Sequence, residues 1–407
     1  MYGILKTEVA MAQIKQFVPR QGNEDNNMEF EQKIKKHRRT RFFKIGVSIA
    51  VISIAIAFGY FYWDNSTYTS YSVVSTTARS SGSDSICLNH NGRILTYSKD
   101  GISSMDAKGN IIWNETYQMQ RPIVHINENA VAVGDYNGNV IYVMDEKGKV
   151  GEIDTNLPIR DFCISKTGIV AAVLEDSKLT RLNVYNASGE ELVKSECRMS
   201  QNGYPIALSL SDDGKVMMVS YLYVDSGSMK SSVAFYNFSD IGQNNVDRLI
   251  SGNDYTDTII PYVGFLGEDA AFAVGDSRIN FYSGKEKPVS VAEKLLSEQI
   301  QGVYYGSERV ALIFLDTTGA SLYRMDVYDE KGNLLLSQNI DMEFQNILLE
   351  KSYVIVYNQS ECIMYSMTGK QKYRGNFAKN AALLIPTEKN KRFVMVTTDS
   401  IDMIELN

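Results

Sequence analysis

From residue 68 to the C-terminus, short runs of Val, Ile, Leu, Tyr and Phe alternate with Gly, Asn, Asp and Ser. No apolar pattern with a helical period persists for three turns. Runs of this length between turn-forming residues predict strands, so the body of the chain reads as all-β. The N-terminal part differs. Ile45 to Tyr62 reads IGVSIAVISIAIAFGYFY, without a charge, Asn, Gln or Pro, and only Ser48 and Ser53 carry hydroxyls before its last turn. A run of this length spans a bilayer core as a helix at about 1.5 Å per residue. A soluble core helix of the same length normally keeps a polar stripe.

The strands repeat. A third strand ends at Met105, Met144, Tyr185, Tyr236, Tyr282, Tyr328, Tyr365 and Ile404. The mean interval of about 43 residues is that of a four-stranded propeller blade. Most of these ends run into a polar turn closed by Gly, as in Met105-Asp106-Ala107-Lys108-Gly109 and Tyr328-Asp329-Glu330-Lys331-Gly332. There the Asp or Asn caps its own backbone and Gly takes the positive φ. A first hairpin turn recurs upstream, as Asn89-His90-Asn91-Gly92 or Ser211-Asp212-Asp213-Gly214. Between second and third strands stands Asp100, Asp135, Asp176, Asp225, Asp276, Asp316 or Asp399, replaced in one unit by Asn358. Blade one is expected at Ser85–Asn89, Arg93–Tyr97, Ile102–Met105 and Ile111–Asn114.

The chain stops after the eighth third strand, so the last blade lacks its outer strand. The segment Tyr68–Thr77 (YTSYSVVSTT) precedes blade one and is rich in strand-forming residues. Pairing it with the final blade completes eight blades of four and removes two sheet edges. The fold expected is therefore an all-β, eight-bladed β-propeller closed by an N-terminal strand and preceded by one transmembrane helix. The division is a basic tail at 1–41, mostly irregular with a short amphipathic helix at Met28–Lys36, a signal anchor at 42–63 and a propeller at 64–407.

Charge adds a direction. Residues 1–63 hold ten Lys and Arg against five Asp and Glu, a net +5; the chain is −7, so residues 64–407 carry −12. Lys33, Lys35, Lys36, Arg38, Arg39, Arg41 and Lys44 all precede the apolar run, which predicts a cytoplasmic N-terminus and an extracytoplasmic body held at the cell membrane. An acidic body argues against a nucleic-acid partner. Cys87, Cys163, Cys197 and Cys362 match no zinc or redox spacing and fall in apolar runs, where a thiol behaves as a small hydrophobe. Five Asn-x-Ser/Thr sequences, at Asn65, Asn114, Asn186, Asn237 and Asn358, matter only where a glycosylating pathway reads them.

Asp106-x-x-Gly109-x-x-x-Trp113 is similar to the tryptophan-docking turn of quinoprotein-like propellers, and the Asp between second and third strands is similar to the structural Asp of WD40 blades. The arrangement of basic tail, single span and divergent propeller resembles an uncharacterised family of bacterial membrane-anchored propellers, chiefly from Firmicutes. That resemblance covers residues 66–407 and implies a fold and a location, not an activity.

The Asp turns share one face of a propeller. An acidic rim for cations or a basic partner is one reading; a cap required by each tight turn is the simpler one. Asp135-Tyr136-Asn137-Gly138-Asn139 lacks the distal Glu of a calcium loop and reads as a hairpin turn. Long inter-blade connections on the same face carry Tyr117, Arg121, Arg160, Arg198, Tyr204, Asp254, Tyr255 and Asp257, expected to reach a central groove as a binding face. No G-x-S-x-G, H-E-x-x-H or P-loop occurs. The sequence points to a binding or scaffold module that engages a protein or a cell-envelope polymer, with no cofactor expected. The alternatives are a propeller enzyme, quinone-dependent or hydrolytic, with its site in the central channel, and a transmembrane sensor.

Overall fold

The computed structural model describes residues 24–79, 85–177, 179–197, 203–306, 308–389 and 391–407. Two units are distinct, Met1–Ser66 and Thr67–Asn407. In the first, one helix spans Glu24–Asn65. Its stretch Lys35–Gly59 is long and apolar enough to cross a membrane, and none of it is buried. The helix begins earlier than the expected span. Gln, Glu, Lys and Arg between residues 29 and 41 are good helix formers, so the apolar helix propagates back through them.

In the second unit, the strands of the described residues form eight four-stranded sheets. Each is an antiparallel meander, and in seven of them the strands follow in chain order with the innermost first. Blade 1 consists of Ile86–His90, Arg93–Tyr97, Gly101–Met105 and Ile111–Thr116. The eighth has Leu383–Pro386, Arg392–Val396 and Ser400–Leu406, and its outer strand is Tyr71–Ala78. The closing strand runs antiparallel to Ser400–Leu406, from Tyr71 opposite Leu406 to Ala78 opposite Ser400.

Hydrophobic clusters fill the spaces between neighbouring sheets. Ile141, Val143 and Ile153 of blade 2 meet Phe162 and Leu174 of blade 3. Ile94 of blade 1 packs with Ile385, Val394, Val396 and Ile401 of blade 8, which closes the ring. A sheet in this setting is buried on both faces. Second strands are accordingly apolar without alternation, as in Ala270–Val274 and Tyr353–Tyr357.

One irregularity recurs in every blade. The ladder between third and fourth strands shifts register immediately before Met105, Met144, Tyr185, Tyr236, Tyr282, Tyr328, Tyr365 and Ile404. The outer strand bulges there by one residue, for example Ile112, Val150, Leu192 and Leu335. The third turn follows at once. In it Asp106 Oδ1 accepts the N–H groups of Lys108 (2.8 Å) and Asn110 (2.9 Å), and Gly109 takes φ 83°. Each such turn lies against the preceding blade: a Cβ on Gly148 would lie 3.4 Å from that of Trp113. Trp113 is buried there, as the tryptophan-docking resemblance implies.

Candidate functional site

An antiparallel meander puts the second-to-third turns and the inter-blade connections on one face. The expected Asp residues all stand in those turns, but their carboxylates do different things. Asp316 accepts from the N–H groups of Thr318 and Ser321, both at 2.8 Å, and from both hydroxyls, which together hold its pKa far below the ordinary carboxyl range. Asn358 makes the same kind of turn with Ser360 and Glu361. Asp135 instead reaches the connection from blade 1 and accepts the N–H groups of Gln120 (3.0 Å) and Arg121 (2.6 Å). Asp276 likewise accepts from the Thr258 hydroxyl in the connection from blade 4. These carboxylates fix the loops and are not a free acidic rim.

The eight residues expected on a binding face divide. Arg121 lies over the Tyr136 ring at 4.4 Å, and Arg160 approaches the same ring at 5.2 Å. Arg160 also donates to the Tyr136 hydroxyl (3.0 Å) and Asn137, and pairs with Glu175. Tyr204 is 38% exposed at the start of the first strand of blade 4, and Asp254 is exposed on its outer strand. Asp257 takes both oxygens to Arg278 at 2.7 Å, and Arg278 also binds Glu293. Arg198 lies outside the described residues.

Two expectations need correction. Tyr255 is only 4% exposed, and its hydroxyl pairs with that of Tyr282 at 2.6 Å in the core between blades 4 and 5. Tyr117 stacks on Tyr142 with ring centroids 6.0 Å apart, and its buried hydroxyl has no partner among the described residues. Both rings enter the wedge between adjoining sheets because burying an aromatic body outweighs leaving it on a loop. The residues therefore do not form one central groove.

Sequence reasoning missed Tyr136 and Glu175 around Arg160, and it missed what makes blade 4 unlike the rest. There the strands Val216–Asp225 and Ser228–Asn237 pair over ten residues each, the longest hairpin among the described residues. The tip carries Ser226 and Gly227 at φ 52° and 81°, and Val224 and Met229, each 58% exposed, face one another across it. The interval from Tyr185 to Tyr236 is the longest between strand ends, and that was the available signal.

Tyr305 on the innermost strand of blade 6 is 60% exposed, yet its hydroxyl pKa is raised by the surrounding protein and by the Cys163 thiol of blade 3. Its ring lies 5.2 Å from that of Phe272 in blade 5. Burial likewise pushes the Cys362 thiol up to about 12. Among the described residues no group of three His, Cys, Asp or Glu is placed to hold a metal ion.

The propeller is similar in fold to Sqt1 of Saccharomyces cerevisiae (TM-score 0.53, 8% identity, covering 84% of this chain and 100% of that one). It is also similar to Chaetomium thermophilum Sqt1, solved bound to the N-terminus of the ribosomal protein L10 (TM-score 0.52, 11% identity, 81% and 98%). BamB from Moraxella catarrhalis aligns with a TM-score of 0.47 at 12% identity, over 83% of this chain and 100% of that one. No curated protein matches the sequence. The match that covers the propeller is with a family model, at residues 64–406, and the chain belongs to that family, the family of unknown function DUF5711.

Proposed function

We propose that this chain is a membrane-tethered binding module. Its helix Lys35–Gly59 anchors it, its propeller stands on the extracytoplasmic side, and the face with the inter-blade connections engages a protein or envelope polymer. The observation that carries the reading is the blade 4 hairpin. A soluble tip gains nothing by exposing Val224 and Met229 as a cross-strand pair; a partner surface does. Fold-level support comes from the Chaetomium Sqt1 propeller, solved with a segment of another protein bound. The basic residues before the apolar run support the orientation.

The test uses the full chain in native membranes with a photo-crosslinker at Met229 or at Lys389, which lies in a turn of the opposite face. A discrete adduct from Met229 alone, with the chain retained in the membrane after alkaline extraction, is expected. Equal adducts from both positions, or release by alkali, would overturn the reading.

A further inference from the structure

The common bulge puts all eight blades in one register, and this shows where the repeat is broken. Two residues before the position that follows the register shift, a side chain of each third strand faces the preceding blade near the rim of the ring. In blades 3, 5, 6 and 8 that residue is Asn183, Asn280, Asp326 or Asp402. Each is buried and fills its wedge through hydrogen bonds. Asn183 donates to the Tyr185 hydroxyl at 2.9 Å, Asp326 accepts from Ser337 at 2.6 Å, and Asp402 pairs with Lys379 at 2.9 Å. In blade 4 the position is Ala234, and its partner on the outer strand is Gly252. No side chain beyond a Cβ remains to fill the wedge.

A cleft opens there. Its cavity of about 500 Å³ is lined by Tyr221, Tyr223, Tyr236, Leu249, Asn253 and Asp254. Past the paired hydroxyls of Tyr221 and Tyr236, 3.0 Å apart, a recess of about 330 Å³ continues along the outer strand of blade 3, past Lys194 and Glu196, to Asp247, so that its walls carry two carboxylates against one ammonium. Asp254 and Asp247 are exposed and have no ion-pair partner among the described residues. Tyrosine rings and unpaired carboxylates both attract a cation, and the net charge of −12 over residues 64–407 brings one in.

We propose that this cleft takes a cationic side chain, Lys or Arg, from a basic segment of a protein partner. The inference rests on the binding-module reading and adds the chemistry of the partner. An uncharged saccharide gains the ring contacts without the two carboxylates, so the charge pattern favours the basic peptide.

The test is a titration of the detergent-solubilised full chain with fluorescein-labelled hexalysine. Ala234→Tyr refills the wedge with the residue that blade 2 has there, Tyr142. It is expected to weaken binding about tenfold, about 1.4 kcal/mol, the scale of a lost desolvated cation–π contact. Asp254→Asn, at an exposed site that leaves folding intact, is expected to weaken it about threefold, within the range of a partly screened charge contact. Glu388→Gln, exposed on blade 8, is expected to leave it unchanged. Loss from Glu388→Gln equal to that from Asp254→Asn would mean general charge attraction and overturn the proposal. So would full affinity in a folded Ala234→Tyr chain, absence of hexalysine binding, or its displacement by a neutral chito-oligosaccharide. If those failures leave the Met229 adduct in place, the binding-module reading stands without this partner class.

Discussion

His90 ends the innermost strand of blade 1, fully buried. Burial lowers its pKa, Arg93 lowers it further, and Glu146 together with the Glu128 backbone only partly opposes this. A folded-state value below the unfolded one means that the unfolded chain binds the proton more readily. The neutral ring thus contributes stability in full above the unfolded pKa of about 6.5, and that contribution is lost as pH falls through it. Melting temperature is expected to drop between about pH 7.5 and 5.5, and His90→Leu is expected to flatten that slope. An equal slope in the variant would show that the titration lies elsewhere. Nothing in Leu88-Asn89-His90-Asn91-Gly92 marks the ring as buried, since the sequence shows a hairpin turn and not the blade packed over it. Tyr117 and Tyr255 were misread for the same reason.

Among elements, the closing strand is unusual because it is mostly exposed yet completes a ring. Tyr71 packs edge-on to Phe377 at 6.4 Å, and its hydroxyl accepts the Ala378 N–H at 2.8 Å. Asn407 donates from its backbone to Ser70 at 2.9 Å and from its side chain to Ser72 at 3.0 Å. A chain that begins at residue 79 leaves Ser400–Leu406 as an unpaired edge. Its unfolding free energy is expected to fall by at least about 4 kcal/mol, beyond an ordinary point substitution. Tyr71→Ala is expected to cost about 1–3 kcal/mol, because the ring is only half-buried. Denaturant melts that coincide for the truncated and intact propellers would show that the strand does not hold the ring shut. The pairing was legible because one blade was a strand short and one strand had no blade. The bulges were not, because a register shift leaves no mark in composition. They also give the exposed Ile112, Val150, Leu192 and Leu335 a reason: an edge that bulges is a poor template for another strand.

Over the whole molecule, the turns depend on ionised carboxylates. Partial burial raises the pKa of Asp106, Asp213 and Asp329, but backbone and side-chain hydrogen bonds outweigh it and each ends below its ordinary value. For Asp316 the hydrogen bonds dominate from the start. Depressed folded values mean stability that is present above the unfolded pKa and lost as pH falls through the folded ones. Cooperative loss of the strand circular dichroism signal is expected below about pH 4, where unfolded carboxylates take up protons. Retention of the native spectrum at about pH 2 would show that the turns do without their charges.

By itself the sequence determined what local chemistry and counting determine. Gly at positive φ and Asx caps placed the turns, the interval between strand ends gave the blade, and the missing outer strand gave the closure. The apolar run with basic residues before it marked the helix. Tertiary structure decided everything that depends on a neighbour from another blade. It turned Asp135 and Asp276 onto the connecting loops, drew Tyr117 and Tyr255 inward, and left a cleft where Ala234 meets Gly252. Such contacts join residues in separate repeats, and a shift of one position in the ladder exchanges which side chain faces which sheet.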